Sequence, residues 1–498
     1  MKIICLGNNT EDSDSMAKTL AGNRQLAYHG LISDIDQLFE INEIRDNSVY
    51  HSTIFDCTFG RLIKICDQFD EVIMLDQPKE SYSHPDSWSK TLQVIQKTCA
   101  PIKVYQADDY WLNLLETNKS FCVLPWVQQY LGNADDPSVV RVCCRSPIQI
   151  GTIDRNDQTW QDDPKYKDIR ESMINGKPLP HCGYCYDQEQ QGLISDRRTE
   201  TLEWVNRLDL VNLEALETIK KPVYYEVRAS DRCNLQCRMC DPKSSHRIAK
   251  EYQTLGWYTP TQKQTSFSNP FDLIDFQDTK KIYVSGGEPM LNSAFFKWLD
   301  RCAQIGNTDI ECLINTNGTK LPLRFKKFLP IFSNLQFVFS IDGYGEDNDY
   351  IRWGSRWHDI VANWQFLVSN GNRVHVNTTV SIYNVHKLSR LYQFIDQNFP
   401  GTLVHINLAK DPAHLDVRSF PDARLAISDL EKIRDTDCYH NNPLMADNIE
   451  HLIKTFANDD YEVSTDKLQQ FFSFNDQLDL LRTSDINRFD KHLPTWRL

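Results

Sequence analysis

The chain has 15 cysteines in 498 residues, and eight of them fall into two groups with metal-ligand spacing. Cys233, Cys237 and Cys240 lie within Cys-Asn-Leu-Gln-Cys-Arg-Met-Cys. Cys122, Cys143, Cys144, Cys182 and Cys185 share a stretch rich in Gly, Pro and polar residues. The other seven, Cys5, Cys57, Cys66, Cys99, Cys302, Cys312 and Cys438, stand singly, mostly among apolar neighbours, and read as small buried hydrophobes. The opening Met1-Lys2-Ile3-Ile4-Cys5-Leu6-Gly7 is too short an apolar run for a signal peptide and soon meets Glu11 and Asp12. No later segment approaches the roughly 20 apolar residues of a membrane span. The expected setting is cytoplasmic, where thiols stay reduced, so clustered cysteines there serve metals or catalysis rather than disulfides.

Three soft thiolates from one short loop select zinc, copper(I) or an iron–sulfur cluster. Three is one short of a closed site. A structural zinc takes four ligands, and His246 could complete a set of three thiolates and one imidazole. A four-iron cubane held by three thiolates instead leaves one iron open to an exogenous ligand. The loop follows an apolar strand-like run, Val223–Val227, a position that favours the open site.

The elements that must position these residues can be read from periodicity. Residues 1 to about 110 alternate strand-like runs (Lys2–Leu6, Glu71–Leu75, Ile102–Tyr105) with helical ones, notably over 59–66, as an open α/β domain would. Residues 120–200 read as irregular. From about 220 to 410, six strand-like runs (Val223–Val227, Ile282–Val284, Asp309–Ile314, Gln336–Ile341, Arg373–Ile382, Leu403–Asn407) are separated by helical stretches. Repeated βα units imply a parallel sheet. The three-cysteine loop, Ser285-Gly-Gly-Glu-Pro289, Asn315-Thr-Asn-Gly318 and Asp342-Gly-Tyr-Gly345 all follow strand ends, where parallel α/β barrels place their active sites. Beyond 410 the chain reads as mostly helical, clearest over Leu425–Ile433 and Lys467–Leu481. Lys+Arg of 54 against Asp+Glu of 68 gives 54 − 68 = −14, a balance that disfavours sequence-independent binding to nucleic acid or anionic membranes.

The spacing Cys-x3-Cys-x2-Cys, followed some fifty residues on by Gly286-Gly287-Glu288-Pro289 after the next strand, resembles the radical S-adenosylmethionine (SAM) superfamily. The resemblance implies an α/β fold: a partial (β/α)6 TIM-like barrel over 216–410, with a helical region over 411–498. It implies that Cys233, Cys237 and Cys240 hold a [4Fe–4S] cluster whose open iron is chelated by SAM. One electron from the reduced cluster then splits the sulfonium, and the 5′-deoxyadenosyl radical abstracts hydrogen from a substrate. By resemblance, Gly286 and Gly287 let backbone approach the methionine end of SAM, Glu288 lies near its ammonium, and Pro289 shapes that turn. Asn315, Asn317, Ser340 and Asp342 resemble the polar strand ends on the ribose side. Arg352 resembles an arginine that pairs with the SAM carboxylate. Before the third cysteine the family usually has an aromatic residue flanking the adenine; here Met239 offers a polarizable thioether.

Residues 116–215 resemble the auxiliary-cluster module called twitch or SPASM in radical SAM proteins, with Gly192, Ser195 and Arg197 after Cys182-Gly-Tyr-Cys185. The resemblance implies a second [4Fe–4S] cluster on Cys122, Cys143, Cys182 and Cys185. Cys144 can stand in for Cys143, because adjacent strand residues face opposite ways. In the family this module usually follows the barrel; here it precedes it, after an N-terminal open α/β domain over 1–115 of unknown role. The implied partners are SAM, a reductant such as flavodoxin or ferredoxin, and an unidentified substrate, with peptides among the candidates. The competing expectation is a zinc-knuckle scaffold or binding protein whose cysteine sites are purely structural.

Overall fold

The computed structural model describes the backbone of residues 3–7, 25–32, 48–54, 71–74 and 103–106, and residues 110–132, 139–146, 150–152, 163–190, 194–228, 230–259, 270–272 and 274–484. The chain divides into two compact units, Met1–Leu124 with Ile169–Ile219, and Pro125–Asp168 with Lys220–Leu498.

The first unit holds five parallel strands, Ile3–Gly7 (β1), Gln25–Ile32 (β2), Ser48–Ile54 (β3), Glu71–Met74 (β4) and Lys103–Gln106 (β5), in the order β2-β3-β1-β4-β5. Three were expected from sequence; β2 and β3 were not, although Val49, Tyr50, Thr53 and Ile54 carry strand-forming side chains. The helix expected over 59–66 lies outside the described residues, as do Cys57, Cys66 and Cys99. Trp111 and Phe121 stack at 5.7 Å, and Trp111 Nε1 donates to the Leu210 carbonyl at 2.6 Å. Val123 N–H donates to Thr201 Oγ1 at 3.2 Å, which joins helix Asp196–Arg207 to the segment that carries Cys122.

The second unit is built on a nine-stranded sheet ordered β14-β13-β12-β11-β10-β9-β6-β7-β8. Its six expected strands are present as Tyr224–Arg228 (β9), Lys281–Ser285 (β10), Glu311–Thr316 (β11), Leu335–Ser340 (β12), Arg373–Val380 (β13) and Val404–Leu408 (β14). All pair in parallel. Residues expected to be irregular supply the rest: Gln128–Leu131 (β6) pairs in parallel with β9, and Val139–Arg141 (β7) and Gly151–Thr152 (β8) follow antiparallel. The 116–215 stretch is therefore shared between the two units. The physical reason is the edge of β9, whose backbone groups need partners. Strands of two to four residues with two adjacent glutamines leave little periodic signal.

Alternation along β10–β13 gives the sheet two faces. Ile282, Val284, Ile314, Phe337, Phe339 and Val376 are buried in the core, under helices such as Ser293–Ile305, which Asn292 caps and Gly306 ends in the left-handed region at φ +82°. Cys302, Cys312 and Cys438 belong to this core as expected. The opposite face carries Ser285, Asn315, Ser340, His375, Asn377 and Asn407. The C-terminal region is helical as expected, with Ala423–Ile433, Pro443–Phe456 and Thr465–Arg482 its main helices. No helix among the described residues is long and apolar enough to cross a membrane.

Phe337 is fully buried among Phe325 and the other rings behind β12. Phe337→Ala is expected to lower stability by about 3–5 kcal/mol, the usual scale for an emptied aromatic site, measured as a shift of the denaturant midpoint at constant slope.

Candidate functional site

The three-cysteine loop leaves the C-terminal end of β9 and is clamped by backbone on two sides. On one side Gly287 N–H donates to Ser230 O at 2.6 Å and Glu288 N–H to Arg232 O at 2.7 Å. A Cβ at Gly287 would lie 2.2 Å from Arg232 O, so only glycine allows this approach, and Gly286 turns with φ +100°. On the other side Gln236 N–H donates to Trp353 O at 2.9 Å and Arg238 N–H to Ile351 O at 2.8 Å. The Gly-Gly-Glu-Pro turn and the segment around Arg352 thus grip the loop between them.

Cys233, Cys237 and Cys240 are half-buried; Cys233 responds to the charge of Cys237, and Cys240 to that of both others. Burial and the Cys237 thiol push Cys233 up to about 12; burial and its two companions push Cys240 up to about 12. Burial also raises Cys237, against the pull of Arg352. Metal ligation requires thiolates, and a cationic centre supplies the charge that makes them affordable. Arg352 Nη1 and Asn317 Nδ2 each lie 4.0 Å from a sulfur, of Cys237 and Cys233 respectively. Among the described residues no group of three or more His, Cys, Asp or Glu is gathered closely enough to hold one metal ion. His246, the imidazole that could have completed a zinc set, has its Nδ1 turned to the loop backbone, 3.3 Å from Cys233 N and 3.2 Å from Asp231 O. The soft donor set on one loop, with a cation beside Cys237, fits a three-thiolate cluster.

The other expected residues surround this loop. Glu288 is buried; burial pushes its carboxyl up, opposed by hydrogen bonds from Asn317 N–H at 2.8 Å, Met290 N–H at 3.0 Å and the Thr316 hydroxyl at 2.7 Å. The carboxylate thus ties the Gly-Gly-Glu-Pro turn to the end of β11. Pro289 is buried and opens a short 3-10 turn. Asn317 Nδ2 donates to Asn234 Oδ1 at 3.0 Å inside the cysteine loop. Ser340 donates to Asn315 Oδ1 at 3.1 Å. Met239 is partly buried against the core. Asp342 and Arg352 meet each other: their ion pair spans 2.6 Å with Asp342 fully buried and Arg352 11% exposed. Burial opposes the Arg352 charge, but Asp342 and Cys237 outweigh it and hold the guanidinium protonated. Asp342 Oδ1 also accepts from Thr379 N–H at 2.8 Å.

Some contributors escaped the sequence reading. Arg228 at the end of β9 donates to Ser244 at 2.5 Å, and Asn234 donates to Thr319 at 2.8 Å. Strand-end and loop positions beside the cysteines were the available signal. Arg238, Asn475, Asp479 and the Glu251–Arg482 pair had no local signal, because their partners lie up to 241 residues apart.

In the first unit, Cys122 and Cys185 are buried and Cys182 is half-buried. Arg197 senses the charge of Cys122, and Cys182 senses that of Arg197. Arg197 is 2% exposed, forks onto Glu189 at 2.8 and 2.6 Å, and donates to Phe121 O, beside Cys122, at 2.7 Å. Ser195 caps the helix that carries it and donates to Glu189 at 2.5 Å. Gly192 lies outside the described residues. Cys143 and Cys144 belong to the second unit, just after β7.

The family model described as the radical SAM superfamily matches residues 227–395. This part of the chain is a radical SAM domain. It spans β9 to helix Leu388–Asn398 and includes the cysteine loop, the Gly-Gly-Glu-Pro turn and Arg352. A curated relative, GTP 3′,8-cyclase of Campylobacter curvus (strain 525.92), is 24% identical over 159 residues, 31% of this chain and 46% of the relative. The chain thus matches about half the length of that relative. Similar solved structures include native anSMEcpe with bound AdoMet and Cp18Cys peptide, at 17% identity and a TM-score of 0.30, covering 43% of this chain and 58% of that one. Streptococcus suis SuiB bound to precursor peptide SuiA is 14% identical with a TM-score of 0.31, covering 59% of this chain and 67% of that one.

Removing one member of the buried Asp342–Arg352 pair strands the other. Asp342→Ala is expected to cost roughly 3–5 kcal/mol, and Asp342→Leu combined with Arg352→Met distinctly less, because no uncompensated charge then remains. Denaturant unfolding of the set checks this; equal losses in the single and double variants would contradict it.

Proposed function

We propose that this chain is a radical SAM enzyme in which Cys233, Cys237 and Cys240 hold a [4Fe–4S] cluster that binds SAM at its open iron. When bound, the cluster supplies the electron that cleaves SAM reductively to methionine and a 5′-deoxyadenosyl radical, which takes hydrogen from the substrate. The observation that carries this reading is the clamped loop at the end of β9, with three thiols in mutual electrostatic reach and a buried arginine beside Cys237. The chain's own residues hold geometry: the Gly287 backbone fixes the loop's start, and Glu288 locks its turn to β11. Asp342 holds Arg352, whose Nη1 lies 4.0 Å from the sulfur of the second thiol. Electrons would come from a flavodoxin- or ferredoxin-type reductant.

Supporting a polar substrate, Ser285, Asn315, Ser340, His375, Asn377 and Asn407 fall on one sheet face by register, next to the strand ends that carry the loop. Asn407 donates to Asn377 at 2.6 Å, and His375 pairs with Gln336 at 3.0 Å. Such amides and imidazoles suit the backbone of a peptide, the substrate class we propose. We further propose an auxiliary [4Fe–4S] cluster resting in the first unit on Cys122, Cys182 and Cys185. The variants Cys143→Ala and Cys144→Ala identify any fourth thiol.

Anaerobic reconstitution with SAM and a reductant tests the central reading. Wild type should hold about eight irons, two cubanes, and release 5′-deoxyadenosine; Cys237→Ala should release none while keeping its fold. A colourless, zinc-bearing wild type that cleaves no SAM would overturn the assignment.

The double variant Cys182→Ala/Cys185→Ala should lose about four irons yet bind SAM as wild type does, because the catalytic thiols come from a different loop. Iron analysis and SAM titration check it, and unchanged iron content would remove the auxiliary cluster from the proposal.

A further inference from the structure

Between the second and third cysteines stands Arg238, whose side chain is completely buried. Its guanidinium lies 3.7 Å from the centre of the Tyr350 ring, and Nε donates to Tyr350 O at 3.1 Å. The remaining contacts reach the C-terminal end of the chain. Nη1 donates to Asn475 Oδ1 at 2.8 Å, and Nη2 donates to Asp479 Oδ1 and, at 3.0 Å, to Ser484. Tyr350 donates to Asp479 Oδ2 at 3.1 Å, and Tyr383 donates to Asn475 Oδ1 at 2.7 Å. A second fork lies one turn along the same helix. Arg482 donates to both Glu251 oxygens, at 2.6 and 2.5 Å, and Gln236 of the cysteine loop donates to Glu251 Oε1 at 3.3 Å. Helix Thr465–Arg482 therefore holds the loop directly at Arg238 and, through Glu251, at Gln236, although it lies outside residues 227–395 that match the superfamily.

A buried ion pair of this kind contributes little net stability compared with apolar groups of the same volume, so its value lies in geometry. A planar guanidinium held at all three nitrogens has one orientation, and through it the backbone between Cys237 and Cys240 has one path. We infer that Asp479 and Asn475 are positioning residues for the cluster loop, making helix Thr465–Arg482 a working part of the SAM site. The inference rests on the reading that Cys233, Cys237 and Cys240 hold the cluster.

The test compares wild type with Asp479→Ala, Asn475→Ala and the double variant Arg238→Met/Asp479→Leu. Arg434→Gln serves as control, since the pairs it breaks, with Glu450 and Glu431, are partly exposed and away from the loop. In the metal-free proteins, amide exchange over residues 233–240 should accelerate by about tenfold or more in Asp479→Ala, as for a locally opened segment, and stay at the wild-type rate in the control. After reconstitution, Asp479→Ala should bind SAM roughly tenfold more weakly, the scale of one charge-assisted hydrogen bond, and show an altered electron-paramagnetic-resonance spectrum of the reduced cluster. The double variant should regain thermal stability but not SAM affinity. Should Asp479→Ala fail to fold, Asn475→Ala and the double variant decide by the same readouts. Unchanged loop exchange, spectrum and SAM affinity would overturn the inference, as would a double variant that recovers SAM affinity together with stability. A wild type without iron would instead overturn the cluster assignment, and the exchange rates in the metal-free proteins would still judge the latch.

Discussion

For the proposed cluster, three thiols on one eight-residue loop, Cys233 to Cys240, must be held in a fixed spatial relation while one face beside them stays accessible. A loop this short has no regular hydrogen bonding of its own, so its shape depends on what surrounds it. Three braces supply that shape: the Gly286-Gly287 backbone laid against Ser230 and Arg232, the Ile351–Trp353 carbonyls that accept from Arg238 and Gln236, and the helix that receives the Arg238 side chain. Each brace comes from a different part of the second unit. The barrel strands bring them to the same end of the sheet.

The same neighbourhood concentrates buried charge. Asp342 with Arg352, Arg238 with Asp479, and Glu251 with Arg482 are ion pairs whose side chains are nearly or wholly withdrawn from water. Withdrawn pairs are a poor source of net stability, but they tolerate few alternative arrangements. Around a loop whose shape depends on its surroundings, that intolerance fixes geometry. Burial and Asp342 raise the Cys237 thiol, and Arg352 and Arg482 oppose them only in part, so a thiolate there calls for the charge of a metal centre.

The stretch between the N-terminal sheet and the barrel does two jobs. Its strands β6, β7 and β8 extend the barrel sheet beyond β9, and its helices assemble with Cys122, Cys182 and Cys185 in the first unit. Arg197 is the hub of that second assembly, joining Glu189 after the Cys-x2-Cys pair to the carbonyl beside Cys122. Cys143 and Cys144 sit with the other unit, so the five cysteines that look like one group along the chain are divided in the fold.

By itself the sequence determined the six βα strands, the order of the loops at their ends and the three cysteines with their Gly-Gly-Glu-Pro companion. These are local properties: strand alternation, turn residues and ligand spacing are written in stretches of a few residues. It also singled out Glu288, Asp342 and Arg352, but only the tertiary structure decided that Glu288 locks one turn to the next strand and that the other two pair with each other. The short strands β6 to β8 were invisible because their stability comes from pairing, β6 on β9, β7 on β6 and β8 on β7, rather than from their own composition. The Arg238–Asp479 and Glu251–Arg482 pairs join residues 241 and 231 apart. Nothing local marks such partners, since what selects them is the loss of water around both charges once the C-terminal helix has packed.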